Sequence, residues 1–328
     1  MKKLLLLAST LTLITGTANA VEKMRCSHQL PPKHHIAIVI GKWADEIKRL
    51  SAGALDVQVF GANSLVGARQ NISSVAQGNI ECAFSVNFQW GKTLPIMNVT
   101  LRPYSVTHLN TLKAWPGSEA AKFLDAAMEK KGVHNVVWLF TTRMSAFTSK
   151  GKALIKPSDF KGIKIRGLNP IVDSSLVAMG AAPVAMSGSK VYQALATGVI
   201  DAGLTDISAA YSRKYYEVQD HVTGTPFFSV FFHGYVNPAW YNKLSSKAKA
   251  AIAKASQEAA VWAIDATEAS AAKAPKLLAE KGMKVHMHTD AEIAVMKAAT
   301  LPAFDKAFAA ATGEDGKKLL ELVNKLGH

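Results

Sequence analysis

The sequence predicts an α/β protein of two lobes, each a mainly parallel sheet flanked by helices, joined by crossing strands and one long strut helix. Three observations carry this. Strand-like and helix-like segments alternate twice in the same order, with glycine closing the helices. The ends of the two runs can be laid on each other: VAQGNIECAFS (75–85) and LATGVIDAGLT (195–205) match at alanine, glycine and isoleucine, with glutamate facing aspartate. The helix formers from Ser245 to Glu280 would also make a rod about 50 Å long at 1.5 Å per residue, more than one lobe's width.

In the first run, KMRCSHQ reads as a strand. His35 to Leu50 is an amphipathic helix with Ile36, Val39, Ile40, Trp43 and Ile47 on one side, stopped by Ser51-Ala52-Gly53. LDVQVFG is a strand, 66–77 a helix ended by Gly78, and IECAFSV a strand. The second run repeats the pattern: GIKIRGL, a helix over 171–179, APVAM, a helix over 189–197, and VIDAGLT. FFSVFFHGYV (227–236) is nearly continuous in apolar residues, suited to a strand crossing back into the first lobe. Pro275 should kink or break the long helix. KVHMHT is a last strand and 290–325 a helical tail. Lobe I is therefore assigned to 21–143 with 230–270, and lobe II to 144–229 with 271–328.

Residues 1–20 form a secretory signal peptide, with Lys2 and Lys3 before an apolar stretch and Ala18-Asn19-Ala20 as a cleavage site. An uncleaved anchor is the alternative. The mature chain is expected to be exported, soluble and periplasmic. Its formal charge falls from +14 to +12 without Lys2 and Lys3. The lysines are scattered along helical segments such as 242–254 rather than clustered with aromatics, so nucleic acid is not an expected partner and anionic solutes gain weak support. Cys26 and Cys82 lie in neighbouring strands; a disulfide and two small buried residues are both open readings.

Ile163 and Ile165 alternate with Lys164 and Arg166, and the strand stops at Gly167 and Pro170. A guanidinium at a strand's carboxyl end, beside a turn, suits a planar anion that can take two parallel hydrogen bonds. A salt bridge to Asp201 or Asp206 is the structural alternative. Topology adds His28 and Gln29 after the first strand, Asn87, Phe88 and Trp90 after the third, and Thr205 and Asp206 at their counterpart in lobe II. Asn87 and His28 could hydrogen-bond a ligand, and Phe88, Trp90 or Phe147 could cover its apolar part.

KPSDFKGIKIRG followed by MGAAPVAMSGSKVYQALATGVIDAG resembles the solute-binding proteins of TRAP (tripartite ATP-independent periplasmic) transporters, often called DctP-like. Pro157, Asp159, Lys161, Gly162, Lys164 and Arg166 match the family's "peDlkGlkiR" run. Gly180, Pro183, Met186, Val191, Tyr192, Ala194, Leu195, Gly198 and Asp201 match "GanPvpm…evYtALqtGvvDg". KYYEVQDH (214–221), the YNKLSSKAKAAI helix and EKGMKVH also look like the family, so the resemblance spans the mature chain. It implies a two-lobe periplasmic binding protein, a monomer without cofactor, that closes over a small organic carboxylate gripped at Arg166 and delivers it to a sodium-coupled membrane permease. The family's second arginine falls near Ala146, with Arg143 the closest here. Leu204-Thr205 stands where many members have Glu-Asn, Lys190 replaces a glutamate, and Gly188 replaces an aromatic. The anchor is kept while its surroundings are rebuilt, which argues against carrying over a particular substrate.

No G-x-S-x-G, H-E-x-x-H, Walker loop or dinucleotide fingerprint is present. His34-His35 begins a helix, where adjacent residues point different ways and make a poor joint metal site, and His286-Met287-His288 could put two imidazoles on one strand face but has no evident third ligand. A sensory receptor of the same fold and, last, an exported enzyme using the same cleft are the other functions the sequence allows.

Overall fold

A computed structural model describes residues 21–326, so the signal-peptide assignment lies outside the described residues. Lobe I begins with β1 (Glu22–Ser27), α1 (His35–Leu50), β2 (Leu55–Phe60), α2 (Asn71–Ala76) and β3 (Cys82–Val86), followed by α3 (Leu109–Lys113), α4 (Glu119–Glu129) and β4 (His134–Thr142). The chain crosses into lobe II as β5 (Ser145–Ser149) and builds β6 (Lys164–Gly167), α5 (Pro170–Ala178), β7 (Ala182–Ala185), α6 (Val191–Ala196), β8 (Gly203–Asp206), α7 (Ile207–Ser212) and β9 (His221–Thr225). It returns as β10 (Val230–Val236) and continues into α8 (Pro238–Lys243), α9 (Ser246–Glu280), β11 (Lys284–Met287) and α10 (Asp290–Asn324).

The lobe I sheet runs β2-β1-β3-β10-β4, with β1 parallel to both neighbours and β10 antiparallel to β3 and β4. β10 is buried along its whole length, as its apolar run requires. Lobe II departs from one parallel sheet. β5 and β9, the strands entering and leaving the lobe, run antiparallel in a sheet ordered β11-β9-β5-β8. β6 and β7 form a separate parallel pair, tied to the sheet through an Ile165–Ala202 bridge.

The repeat seen in the sequence has a physical basis. In lobe I the Glu81 carboxylate accepts from the Arg25 backbone N–H at 2.9 Å. In lobe II the Asp201 carboxylate accepts from the Lys164 N–H at 2.9 Å. Each acid follows a helix-closing glycine, Gly78 (φ 75°) or Gly198 (φ 72°), in the left-handed conformation that only glycine adopts without strain. Each ties the returning chain to the strand that opens its strand–helix repeat, β1 in lobe I and β6 in lobe II.

Two long helices hold the lobes together. Along α9, Ala248, Ala251, Ile252, Ala255, Ala259 and Ala263 make a buried small-residue stripe against α1 and β4. Trp43 Nε1 donates to Ser256 Oγ at 3.0 Å, and Thr267 Oγ1 to the Phe140 carbonyl at 2.9 Å. The far end reaches α7 and β11 of lobe II. The sequence expected a kink or break at Pro275, yet α9 continues through it to Glu280. Burial of Ala274 and Leu278 offsets the hydrogen bond that proline cannot make. The tail, assigned by sequence to lobe II, packs on both lobes. α10 lies against α5, and also against residues 95–101 and α4, with Arg102 Nε and Nη2 donating to the two carboxylate oxygens of Asp305 at 2.7 Å each. Its helical geometry is interrupted at Gly313.

Cys26 and Cys82 stand directly opposite in the β1–β3 register and form a disulfide, resolving the open reading. The bridge closes a segment with a sequence separation of 56. Loop-closure entropy predicts that the Cys26→Ser/Cys82→Ser variant loses about 4 kcal/mol. Denaturant unfolding of the oxidised protein and the variant checks this; coincident midpoints would show that the bridge adds nothing.

Candidate functional site

The carboxyl end of β6 delivers Arg166 to the seam between the lobes. Strand alternation is responsible. Ile165 packs into the core, while Arg166 donates its backbone N–H to Ala202 at 3.0 Å and turns its side chain the other way. The guanidinium is buried, with 3% of the residue exposed. Nη1 donates to the Leu204 carbonyl at 2.7 Å, Nε lies 3.4 Å from the Met186 carbonyl, and Cζ sits 5.8 Å from the Phe88 ring centre. No described carboxylate forms an ion pair with it. Asp201 is committed to Lys164, and Asp206 Oδ1 accepts from the Ser208 and Ala209 N–H groups, so the alternative of a salt bridge to either is not realised. Burial pushes the Arg166 pKa down to about 10, which leaves it charged at neutral pH but records the cost of desolvation. Asp173 draws on that charge from a distance while Oδ1 accepts from the Leu168 N–H at 2.7 Å; burial lifts its carboxyl to about 6.

Arg166 opens onto a small cavity of about 50 Å³ between the lobes. Gln29, His34 and Phe88 face it from lobe I, and Thr205, Asp206 and Arg213 from lobe II; Thr142 and Val230 of the crossing strands form its floor. Phe88 and Leu168 separate it from a wider groove of about 430 Å³ along the same seam. The lobes touch around this space. Arg69 Nη2 donates to the Ala185 carbonyl at 2.8 Å, and Asn169 Nδ2 donates to the Phe88 carbonyl at 3.0 Å and to Asn98 Oδ1 at 2.8 Å.

Of the eight residues expected in the site, the structure brings Arg166, Thr205 and Asp206 together and places the other five elsewhere. Asn87 starts a short 3-10 turn that rotates its amide inward, where Nδ2 donates to Met97 O and Thr100 Oγ1 and Oδ1 accepts from the Phe231 N–H. Its capacity is spent on the core. His28 Nδ1 accepts from the Leu30 N–H at 3.1 Å and its ring meets the edge of Phe232; burial lowers its pKa to about 4, so it is neutral. Arg143 makes a two-pronged pair with Glu268 of α9, fixing the crossing strand to the strut. Phe147 packs between Phe160 and Phe227. Trp90 is core, its Nε1 donating to His233 Nε2 at 2.8 Å, although its side chain also borders the wider groove. Arg213 escaped the sequence reading, because nothing in its spacing links it to Arg166; its one signal is its place directly before KYYEVQDH.

His34 Nδ1 accepts from the Ile36 N–H as the cap of α1, its ring stacked on His35 at 4.4 Å. Burial, then the neighbouring His35 and Arg213, push its pKa well down, so it enters the cavity as a neutral donor through Nε2. No cluster of three or more potential metal ligands occurs among the described residues.

Two α/β lobes closing on a polar, cation-bearing cavity, with strands crossing beneath, are the architecture of a solute-binding protein. The chain belongs to the bacterial extracellular solute-binding protein family 7, the DctP family, whose model matches residues 26–311. It is a family of binding proteins, not enzymes. A solute-binding protein of Albidiferax ferrireducens is 27% identical over 185 residues, 56% of this chain, and the match spans about half (54%) of that relative. The C4-dicarboxylate-binding periplasmic protein DctP of Rhodobacter capsulatus is 25% identical over 292 residues, 86% of this chain and 85% of the relative. The sugar acid binding protein DctPAm of Advenella mimigardefordensis, solved with galactonate, shares the fold at a TM-score of 0.87 and 22% identity, covering 93% of this chain and 99% of its own. So does a TRAP periplasmic solute binding protein of Desulfovibrio salexigens with orotic acid, at 0.87 and 22%, covering 93% and 98%.

If Asn87 is structural, Asn87→Ala leaves its buried partners unmet and lowers stability by roughly 1–3 kcal/mol. Solute affinity of the folded variant stays within about a factor of two of the unaltered protein, a change worth less than RT. Denaturant unfolding paired with calorimetry tests this; a large affinity loss at unchanged stability would return Asn87 to the site.

Proposed function

We propose that this chain is the periplasmic solute receptor of a TRAP transporter, binding a small organic carboxylate between its lobes and delivering it to a sodium-coupled membrane permease. One observation supports the ligand class above the others: Arg166 is a fully charged, buried guanidinium with hydrogen-bonding capacity left over and no carboxylate of its own. A carboxylate entering the cavity would supply the missing counter-charge through two parallel hydrogen bonds. The family supports the extracytoplasmic role, and the signal-peptide reading of residues 1–20 supports export. The protein of R. capsulatus is named for dicarboxylates and those of known structure were solved with galactonate and orotic acid, so organic acids of several shapes are consistent with this fold.

Arg166→Ala is expected to weaken binding of the acid selected in a thermal-shift screen at least tenfold, since removing one partner of a desolvated charge pair costs ~2–5 kcal/mol. Arg166→Lys should also bind poorly, because a point charge cannot reproduce the planar fork. Calorimetry on both folded variants decides; unchanged affinity in Arg166→Ala would remove the residue from the site. Solution scattering of the unaltered protein should show compaction on adding the acid, and no change would count against closure of the lobes.

A further inference from the structure

A second cation stands in the same cavity. Arg213 follows the C-terminal end of α7 and forms no ion pair among the described residues; its one hydrogen bond there is from Nη1 to Thr205 Oγ1, long at 3.4 Å. Gly188 makes room for it. A Cβ at residue 188 would lie 2.4 Å from Arg213 Nη1 and 2.8 Å from Cζ, closer than any real contact, so a side chain there would displace the guanidinium. Arg213 also opposes the positive charge of Arg166. Two like charges share a cavity in which Asp206, the one acidic lining residue, is paired with neither of them, an arrangement that an incoming anion improves.

Two acceptors in the same cavity have nothing to accept. Asp206 and Gln29 are 8% and 4% exposed, and Asp206 Oδ2 and Gln29 Oε1 are buried without a hydrogen-bond partner. Asp206 Oδ1, by contrast, takes three donors: the Ser208 and Ala209 N–H groups and the Ser208 hydroxyl. Burial raises the Asp206 pKa, while His35 and these three donors favour its carboxylate form, and its other oxygen is left open to a donor on a ligand.

We infer that the solute is a monocarboxylate carrying a hydroxyl or N–H donor, its carboxylate held by Arg166 and Arg213 together and its donor received by Asp206 Oδ2 and Gln29 Oε1. This rests on the reading above that Arg166 takes a carboxylate. With Asp206 ionised, the residues lining the cavity carry two guanidiniums and one carboxylate, a net positive charge of one that a single carboxylate neutralises. A dicarboxylate would bring its second charge against Asp206 in a water-poor cavity, so Asp206 selects by repulsion as well as by hydrogen bonding. Gly188 contributes by absence, since a Cβ there would crowd the Arg213 guanidinium where it now lies.

The test is calorimetry on the mature protein with glycolate, lactate, glycerate and gluconate, each against its deoxy acid and the dicarboxylate of equal length. The expected result is that a hydroxy acid binds at least tenfold more tightly than both of its counterparts. Arg213→Met and Gly188→Ala should each weaken that acid at least tenfold, with Arg213→Lys between Arg213→Met and the unaltered protein. Asp206→Asn keeps an oxygen to cap α7 and should narrow the gap between hydroxy acid and dicarboxylate. Circular dichroism confirms that each variant is folded. Unchanged affinity in Arg213→Met, with binding abolished in Arg166→Ala, would overturn the second anchor and leave the carboxylate reading standing. Preference of the unaltered protein for a deoxy acid or dicarboxylate would overturn the donor assignment. Binding of no acid, or binding indifferent to Arg166, would overturn both readings.

Discussion

Arg166 holds a full positive charge where water is excluded and no described carboxylate pairs with it. Such a charge is costly, and the molecule meets part of the cost with neutral groups: the Leu204 carbonyl, the face of Phe88 and the more distant field of Asp173. A guanidinium suits this task because it is more weakly hydrated than an ammonium and spreads its charge over a plane. Full pairing with an internal aspartate would lower the energy of the empty protein and remove the reason to bind anything. On the function proposed above, the remaining deficit would drive ligand capture.

Much of the surrounding structure can be understood as holding that deficit in place. β6 is too short to be stable alone, so it leans on β7 and on the Ala202 bridge, while Asp201 fixes its first residue through the Lys164 N–H. Asp173 Oδ2 would lie 2.6 Å from a Cβ at Gly167, so the glycine after Arg166 admits the carboxylate that steadies the turn. Further out, Arg143 and Glu268 bind a crossing strand to α9, and Arg102 and Asp305 bind lobe I to α10. These pairs lie beside the connections between lobes, where they can keep the strut and tail registered while the lobes move.

The fold and its central residue were legible because both depend on local regularities. Alternation in KIRG marks which side chains face the core, and the glycine–acid echo reflects an interaction made in both lobes. What was not legible depends on rotations and encounters without sequence period. Asn87 follows β3 and Thr205 lies near the end of its counterpart β8, but the 3-10 turn at Asn87 swings its amide into the core whereas Thr205 stays on the cavity wall. Arg143 was suggested by proximity along the chain to the family's second arginine, yet its partner Glu268 comes from a helix over a hundred residues away. Arg213 reaches the cavity from beyond α7, through a space that exists because residue 188 has no side chain. Pro275 fails to break α9 because tertiary burial on both sides of it outweighs a local rule.

The direct polar contacts that bring the lobes together around the cavity are few. Arg69 reaches the Ala185 carbonyl at the surface, Asn169 bonds Phe88 and Asn98, and Ser208 Oγ lies 3.4 Å from His35 Nδ1. Each is worth about 1 kcal/mol net, since the same groups bond water when the lobes part. Closure without solute therefore gains little from these contacts and confines a desolvated cation, and Arg213 beside it adds to the penalty. A carboxylate reverses the balance, because it interacts with the guanidinium most strongly when water is excluded. A ligand shifts an equilibrium only by its difference in affinity between states, and here that difference is concentrated on a charge that closure itself desolvates. On the proposed function, Arg166 would thus link occupancy to shape: the feature that makes the empty closed form poor would make the loaded closed form good.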